Sequence, residues 1–214
     1  MKVAIIGSGN VGSAVAEAAK QAGHEITVAS PQPERREGLG DKLGVGTTSS
    51  NVDAVEGADL VVLAVPFGSF NDVVRDIAGK VGGKIVVDAT NPIREDYSGL
   101  ATEGSSGAEL LQQQLPDARV VKAFNSVFAS NQAGPVVDGV QLDGFVAGDD
   151  AEAKKQVLDL LRDIGYRPID AGPLSAARYL EGMAFLNISL NAANGWPWQT
   201  GWKLVGPGPS SSPA

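Results

Sequence analysis

Short apolar runs recur along the chain and alternate with stretches of helical periodicity. Lys2 to Ile6 (KVAII), Glu25 to Ala29 (EITVA), Asp59 to Ala64 (DLVVLA), Lys84 to Ala89 (KIVVDA) and Arg119 to Ala123 (RVVKA) are rich in Val and Ile. Each has the continuous apolar character of a strand covered on both faces. Helical patterns separate them: an alanine-rich stretch around Ala14 to Ala19, Phe70 to Ala78, and Ser106 to Leu115. Gly44 to Ser50 fits a short third strand, with Asn51 or Asp53 as the cap of a one- or two-turn helix before Gly57. The rhythm repeats further on, with a strand over Asp143 to Ala147, an amphipathic helix over Asp150 to Ile164 and a strand over Arg167 to Ala171. Gly172-Pro173 then opens a long helix from Leu174 to about Ala193. Strands alternating with helices predict an α/β fold with a doubly wound, parallel sheet.

The first strand runs directly into Gly7, Gly9 and Gly12 at G-x-G-x-x-G spacing, followed by a helix. That context gives each glycine a mechanical use: a tight turn, close approach of a diphosphate to the backbone, and close packing of helix on strand. The helix start offers free N–H groups and the positive end of its dipole to the diphosphate. This is the signature of a Rossmann-type dinucleotide site, with Gly7, Ser8, Gly9, Asn10, Val11 and Gly12 as its cradle. The expected organisation is a dinucleotide-binding domain over residues 1–140, a small carboxyl-terminal part over 141–202 ending in the long helix, and a flexible tail over 203–214.

The end of the second strand selects the cofactor. An NAD site places Asp or Glu there to hold the ribose 2′-hydroxyl. This chain has Ala29 and Ser30, then Pro31, Gln32, Pro33, Glu34, Arg35 and Arg36. A serine hydroxyl and a guanidinium suit a 2′-phosphate, so Ser30 and Arg35 point to NADP(H). The plainer reading makes both arginines solvated charges at a helix start. Ala64, Val65 and Pro66 leave the fourth strand facing the glycine loop, and Asn91 and Ala123 leave the fifth and sixth strands on the same side. Val65 to Phe67 are candidates to line the nicotinamide side, or else an ordinary strand exit with a proline stop, and Asn125 could reach the same crevice, although it also suits a helix cap. Lys122 reads either as a cation in the crevice or as a surface residue at a strand end. His24, the only histidine, falls at the opposite edge of the sheet and reads as structural.

Composition narrows the partners. With 214 residues, 43% hydrophobic and 20% charged, the chain can bury a full core. Its formal net charge of −8 argues against nucleic acid, whose phosphates want a basic face. There is no cysteine, which removes disulfides, thiolate metal sites and thiol nucleophiles; no metal is expected. No apolar stretch reaches membrane-spanning length, and the apolar run near Met1 is short for a signal sequence, so a cytoplasmic protein is expected. The long helix carries Leu180, Met183, Phe185, Leu186, Ile188 and Leu190 almost all round, which predicts a homodimer interface. Trp196, Trp198 and Trp202 follow, suited either to flooring a planar ring or to clamping the tail or a partner. The glycine-rich, polar stretch from Ile93 to Gly107 reads as a surface loop, and Pro207 to Ala214 as a disordered end.

GSGNVGSA, the AVPF turn, DATNP, KAFN and above all DAGPLSAAR (Asp170 to Arg178) together resemble the NADPH-dependent reductases of the deazaflavin coenzyme F420. The amino half of that family also occurs as the NADP-binding domain of metalloreductases. The similarity extends to about Trp202. It implies hydride exchange between NADP(H) and a flat ring held between a Rossmann domain and a compact carboxyl-terminal part, in a dimer. It also implies that Pro66-Phe67 and the turn at Pro173, Leu174 and Ser175 form the second-substrate surface. The family's arginine next to the serine is replaced here by Pro31, leaving Arg35 to substitute. Hydride transfer between stacked rings relies on positioning more than on acids and bases, so no catalytic side chain is assigned. Carbonyl reduction would need a proton donor, for which Tyr97, Tyr179 and Lys122 are the candidates. Two other readings are a module that senses NADP(H) without chemistry and a reductase of a small carbonyl or imine.

Overall fold

The computed structural model describes residues 1–206; the expected disordered end, 207–214, lies outside the described residues. The elements in order are β1 (Lys2–Ile6), α1 (Asn10–Gln21), β2 (Glu25–Ala29), α2 (Pro33–Leu43), β3 (Gly46–Thr48), α3 (Asn51–Glu56), β4 (Leu60–Leu63), α4 (Phe70–Ile77) and β5 (Ile85–Asp88). They continue with α5 (Gly107–Gln114), β6 (Arg119–Lys122), α6 (Ala129–Gln132), β7 (Val136–Val137), β8 (Val140–Gln141), β9 (Asp143–Gly148), α7 (Ala151–Ile164), β10 (Arg167–Gly172) and α8 (Ala177–Asn194). Eight strands form one sheet in the order β10-β9-β6-β5-β4-β1-β2-β3. β1 therefore sits between β4 and β2, and the loops leaving these three strands meet at one edge.

The apolar runs form strands because both sheet faces are covered. Along β1, Val3 and Ile5 turn to a core shared with Val15, Ala16 and Ala19 of α1 and Val157, Leu160 and Leu161 of α7. Ala4 and Ile6 turn to the opposite core, with Val55, Phe70, Val74, Ile77 and Leu111. This is the period-two alternation of a strand expressed between two helical layers.

The expected parallel sheet holds from β3 to β6, but β9 runs antiparallel to β6, pairing Val121 with Gly148 and Lys122 with Ala147. β10 is parallel to β9 and so also runs against the rest. The antiparallel step follows from the connection: α6 and the β7–β8 hairpin return the chain to the same end of β6, where it has no crossover helix to carry it back. The strands of the expected 141–202 part thus extend the same sheet. The cap of α3 is Ser50, whose hydroxyl accepts from the Asp53 N–H at 3.1 Å, in place of the expected Asn51 or Asp53. Ile93 to Ser106 contains neither helix nor strand beyond an isolated bridge between Ile93 and Leu100, and Gly107, the last residue of the expected loop, opens α5. Of the expected flexible tail, Lys203 and Leu204 are tied to Asp143. Among the described residues, no helix is long and apolar enough to cross a membrane.

Candidate functional site

The three glycines differ in what holds them to glycine. Gly7 has φ +114, and a side chain there would meet the Ala64 carbonyl oxygen at 2.3 Å. Gly12 faces the Gly7 carbonyl oxygen, which a Cβ would approach to 2.0 Å. Both are fixed by the packing of β1, β4 and α1. Gly9 is different: its φ is −73, open to any residue, and a Cβ would find nothing within 4 Å. Neither conformation nor packing within the protein asks for glycine at position 9. The space it leaves lies over the start of α1, whose first N–H groups have no side-chain cap.

From this loop a cleft of about 420 Å³ runs past Ala29, Ser30 and Arg35 to Ser49 and Asn51, with Ala64, Val65, Pro66, Val73 and Asp76 on the other wall. Ser30 is buried; its hydroxyl bonds that of Ser8 at 2.7 Å and accepts from the Gln32 N–H at 3.3 Å. The two neighbouring arginines divide. Arg36 turns back to donate to the Ser30 carbonyl at 3.0 Å, while Arg35 lines the cleft.

On the other side of the α1 start, a cavity of about 240 Å³ is bounded by Asn10, Val11, Asn91, Asn125, Phe128 and Asn187, among others. Its polar lining is made of amides and the Ser126 hydroxyl, with no titratable side chain. The amides of Asn91 and Asn125 bond one another, Asn125 Nδ2 to Asn91 Oδ1 at 3.0 Å, and Asn125 Nδ2 also donates to the Leu180 carbonyl. Asn125 is thereby a tie between β5, β6 and α8; the next helix, α6, starts four residues later at Ala129. Phe124, also in the lining, is held at φ +65, a left-handed conformation costly for a bulky residue. Gln132 holds it there, donating from Nε2 to the carbonyls of Phe124 at 2.8 Å and Val127 at 3.1 Å and accepting from the Tyr166 hydroxyl at 2.6 Å.

Lys122 is neither on the surface nor in the crevice. It is fully buried, and its three ammonium protons go to Asp88 Oδ2 at 2.9 Å, Glu181 Oε1 at 2.8 Å and the Thr90 carbonyl at 2.7 Å. Burial works against its charge, but the two carboxylates outweigh that and raise its pKa. Burial pushes the Glu181 carboxyl up against the pull of Lys122. A strand-end lysine is read as exposed unless its partners are known, and here they come from β5 and from α8, 59 residues away. Tyr97 and Tyr179 are exposed, at 69% and 75%, and line neither cavity.

Of the remaining candidates, Ala123 is buried beneath the site, and Phe67 packs on Phe70 with ring centres 5.2 Å apart. Leu174 and Ser175 line a separate hollow with Glu109, Gln112, Gln113 and Asp149, and Pro173 lies along neither cavity. By register Gly172 stands level with Lys122, Asp88, Leu63 and Ile6, but β10 is the edge strand, so β9, β6 and β5 separate the turn after it from the ends of β4 and β1. The tryptophan stretch acts as a clamp: Trp198 packs edge-on against Phe128 at 5.5 Å, and its carbonyl accepts from Ser130 Oγ at 2.6 Å. Thr200 ties the same stretch to Asn187 and Asn191. His24 stands at the far edge, beside the amino terminus and Asp163. Asn51, Val73, Asp76 and Asn187 join the site although no local motif marks them; packing of α3, α4 and α8 over the sheet brings them there. Among the described residues, no group of three or more His, Asp or Glu is placed to hold a metal.

Residues 2–92 match the family model described as NADP oxidoreductase coenzyme F420-dependent. Metalloreductase STEAP3 of Rattus norvegicus is 33% identical over 183 residues, covering 85% of this chain, and the chain spans only 36% of that protein's length. A crystal structure from Arthrobacter sp. FB24, provisionally named an F420 dependent NADP-reductase, superposes with a TM-score of 0.84 at 30% identity, covering 93% of this chain and 97% of that one. The F420-dependent NADP reductase of Methanothermobacter thermautotrophicus is 33% identical over 213 residues, 91% of this chain and 90% of its own. The similarity runs along nearly the full length of both proteins, and the chain belongs to the family of F420-dependent NADP reductases.

Proposed function

We propose that this protein is an oxidoreductase that exchanges hydride between NADP(H), bound along the larger cleft, and a planar acceptor of the deazaflavin class, coenzyme F420, seated in the smaller cavity. The observation that carries the reading is Gly9, a glycine that nothing in the protein requires, opening space over uncapped helix N–H groups. A diphosphate is the ligand chemistry that uses both. When bound, NADP(H) supplies the hydride or takes it up.

The chain's own residues position and exclude. The N–H groups of Asn10, Val11 and Gly12 meet the diphosphate charge, and Ser30 with Arg35 favours a 2′-phosphate where a carboxylate would repel it. Asn91, Asn125 and Asn187 offer orientation by hydrogen bonding around the ring site without a group that titrates near neutrality. That lining favours ring-to-ring hydride transfer over carbonyl reduction, which needs a proton donor. Residues 1–140 supply the nucleotide cleft, and 141–202 supply α8, which closes the acceptor side through Ala184, Asn187 and Ile188.

The outward side of α8 exposes Tyr179, Leu186 and Leu190, Trp196 and Trp198 are exposed just past its end, and we assign this face to a homodimer contact. The family relatives support a cytoplasmic setting. The test is to mix the protein with NADPH and, separately, F420, a flavin or a ferric chelate, and follow the reduced-nicotinamide absorbance. Turnover with F420, faster with NADPH than NADH, is expected. Tight NADPH binding with no turnover on any acceptor would instead make the protein a sensor of the cofactor.

A further inference from the structure

The far end of the larger cleft carries a polar pair that the cofactor reading leaves unused. Asn51 Nδ2 donates to Asp76 Oδ2 at 3.1 Å, and both side chains line the cleft beyond Ser30 and Arg35. The pair is held by its elements. Asn51 is the first residue of α3, fixed by the Ser50 cap. Asp76 lies on α4, anchored beneath by buried Phe70, Val74 and Ile77. Among the described residues Asp76 bonds Asn51 and pairs with no cation, whereas Asp72 on the same helix pairs with Arg75 at 3.1 Å.

An ionised carboxylate only accepts, so its bond to Asn51 settles which end of the amide faces it. The second Nδ2 proton and the free carboxylate lone pairs are left, which puts a donor beside an acceptor. The wall next to them, Val65, Pro66 and Val73, is apolar and suited to the face of a ring. The outer edge of a 6-aminopurine presents the complement of this pair, an acceptor at N1 and a donor at the 6-amino group. A 6-oxopurine reverses both positions, setting donor against donor and acceptor against acceptor.

We infer that Asn51 and Asp76 read the adenine edge of the bound dinucleotide and select a 6-aminopurine over a 6-oxopurine. The inference rests on the cleft binding NADP(H), and the two fail differently. The experiment is an equilibrium titration of the full chain with NADPH and with its analogue carrying hypoxanthine in place of adenine, for the wild type, Asp76→Asn and Asp76→Ala. The wild type is expected to bind the analogue about tenfold more weakly or worse. Asp76→Asn, whose amide can turn either way, and Asp76→Ala should bring the two ligands to within about threefold, mainly by weakening NADPH. Equal binding of both ligands by the wild type, or undiminished selection in both variants, would overturn the inference and leave the cofactor assignment standing. Failure of NADPH itself to bind would remove both.

Discussion

Gly9 and Gly12 look alike in the sequence and answer to different forces. A Cβ at Gly12 would stand 2.0 Å from a backbone oxygen, so Gly12→Ala must push α1 off β1, with a loss of about 1–3 kcal/mol. Gly9→Ala meets no protein atom and should change stability by less than about 1 kcal/mol. Its effect should appear in NADPH affinity, weakened about tenfold or more where the diphosphate approaches the backbone. Thermal denaturation and fluorescence titration of the two variants separate these outcomes, and a Gly9→Ala protein that binds NADPH normally would remove the cradle. The same contrast marks the limit of motif reading. G-x-G-x-x-G identifies the loop, and Ser30 with Arg35 is legible from position alone. The distinction between Arg35 in the cleft and Arg36 on the Ser30 carbonyl depends on the turn of α2, which the polar string PERREG does not specify.

At the scale of elements, one buried ionic link ties α8 to the early sheet, and a second, around the buried Asp143 carboxylate, ties residues 203 and 204 to β9 and β10. The first joins β5, β6 and α8 through Lys122. Lys122→Met would leave Asp88 and Glu181 buried without a counter-charge, and a loss of about 3–5 kcal/mol in urea denaturation is expected. The second holds residues 202–204 at the start of β9. The Asp143 carboxylate is buried, which works to raise its pKa, but hydrogen bonds from Arg167, the Leu204 N–H and Lys203 outweigh that and hold it below the usual value. A lowered carboxyl pKa contributes stability that is fully present above the ordinary aspartate value and lost as pH falls through the lowered one. All three tryptophans lie between residues 196 and 202, so their fluorescence reports this clamp. An acid titration should shift the emission towards exposed indole below the ordinary aspartate range, and Asp143→Asn should show the shifted emission already at neutral pH. An unchanged spectrum in that variant would place the clamp elsewhere. Strands and long helices were readable from periodicity, because burial on two faces leaves its mark in the sequence. The antiparallel β9, the short α6 and the partners of Lys122 were not, because each is decided by contacts between distant segments.

For the whole molecule, the sheet brings the loops after β1, β2 and β4 to one edge, and α8 closes one side of the smaller cavity while turning an apolar face outward. Sedimentation at micromolar concentration should show a dimer, and Leu186→Glu with Leu190→Glu should yield a folded monomer. A monomeric wild type would leave that face unexplained. The central claim is that hydride passes directly between NADP(H) and the deazaflavin, with the protein supplying position rather than a proton donor. The most direct measurement uses NADPH deuterated at nicotinamide C4 on the transferred face, with analysis of the reduced F420 by mass spectrometry. Direct transfer predicts that the label is recovered in reduced F420. Reduced F420 without the label, or no reduction by NADPH of either facial label, would contradict the account.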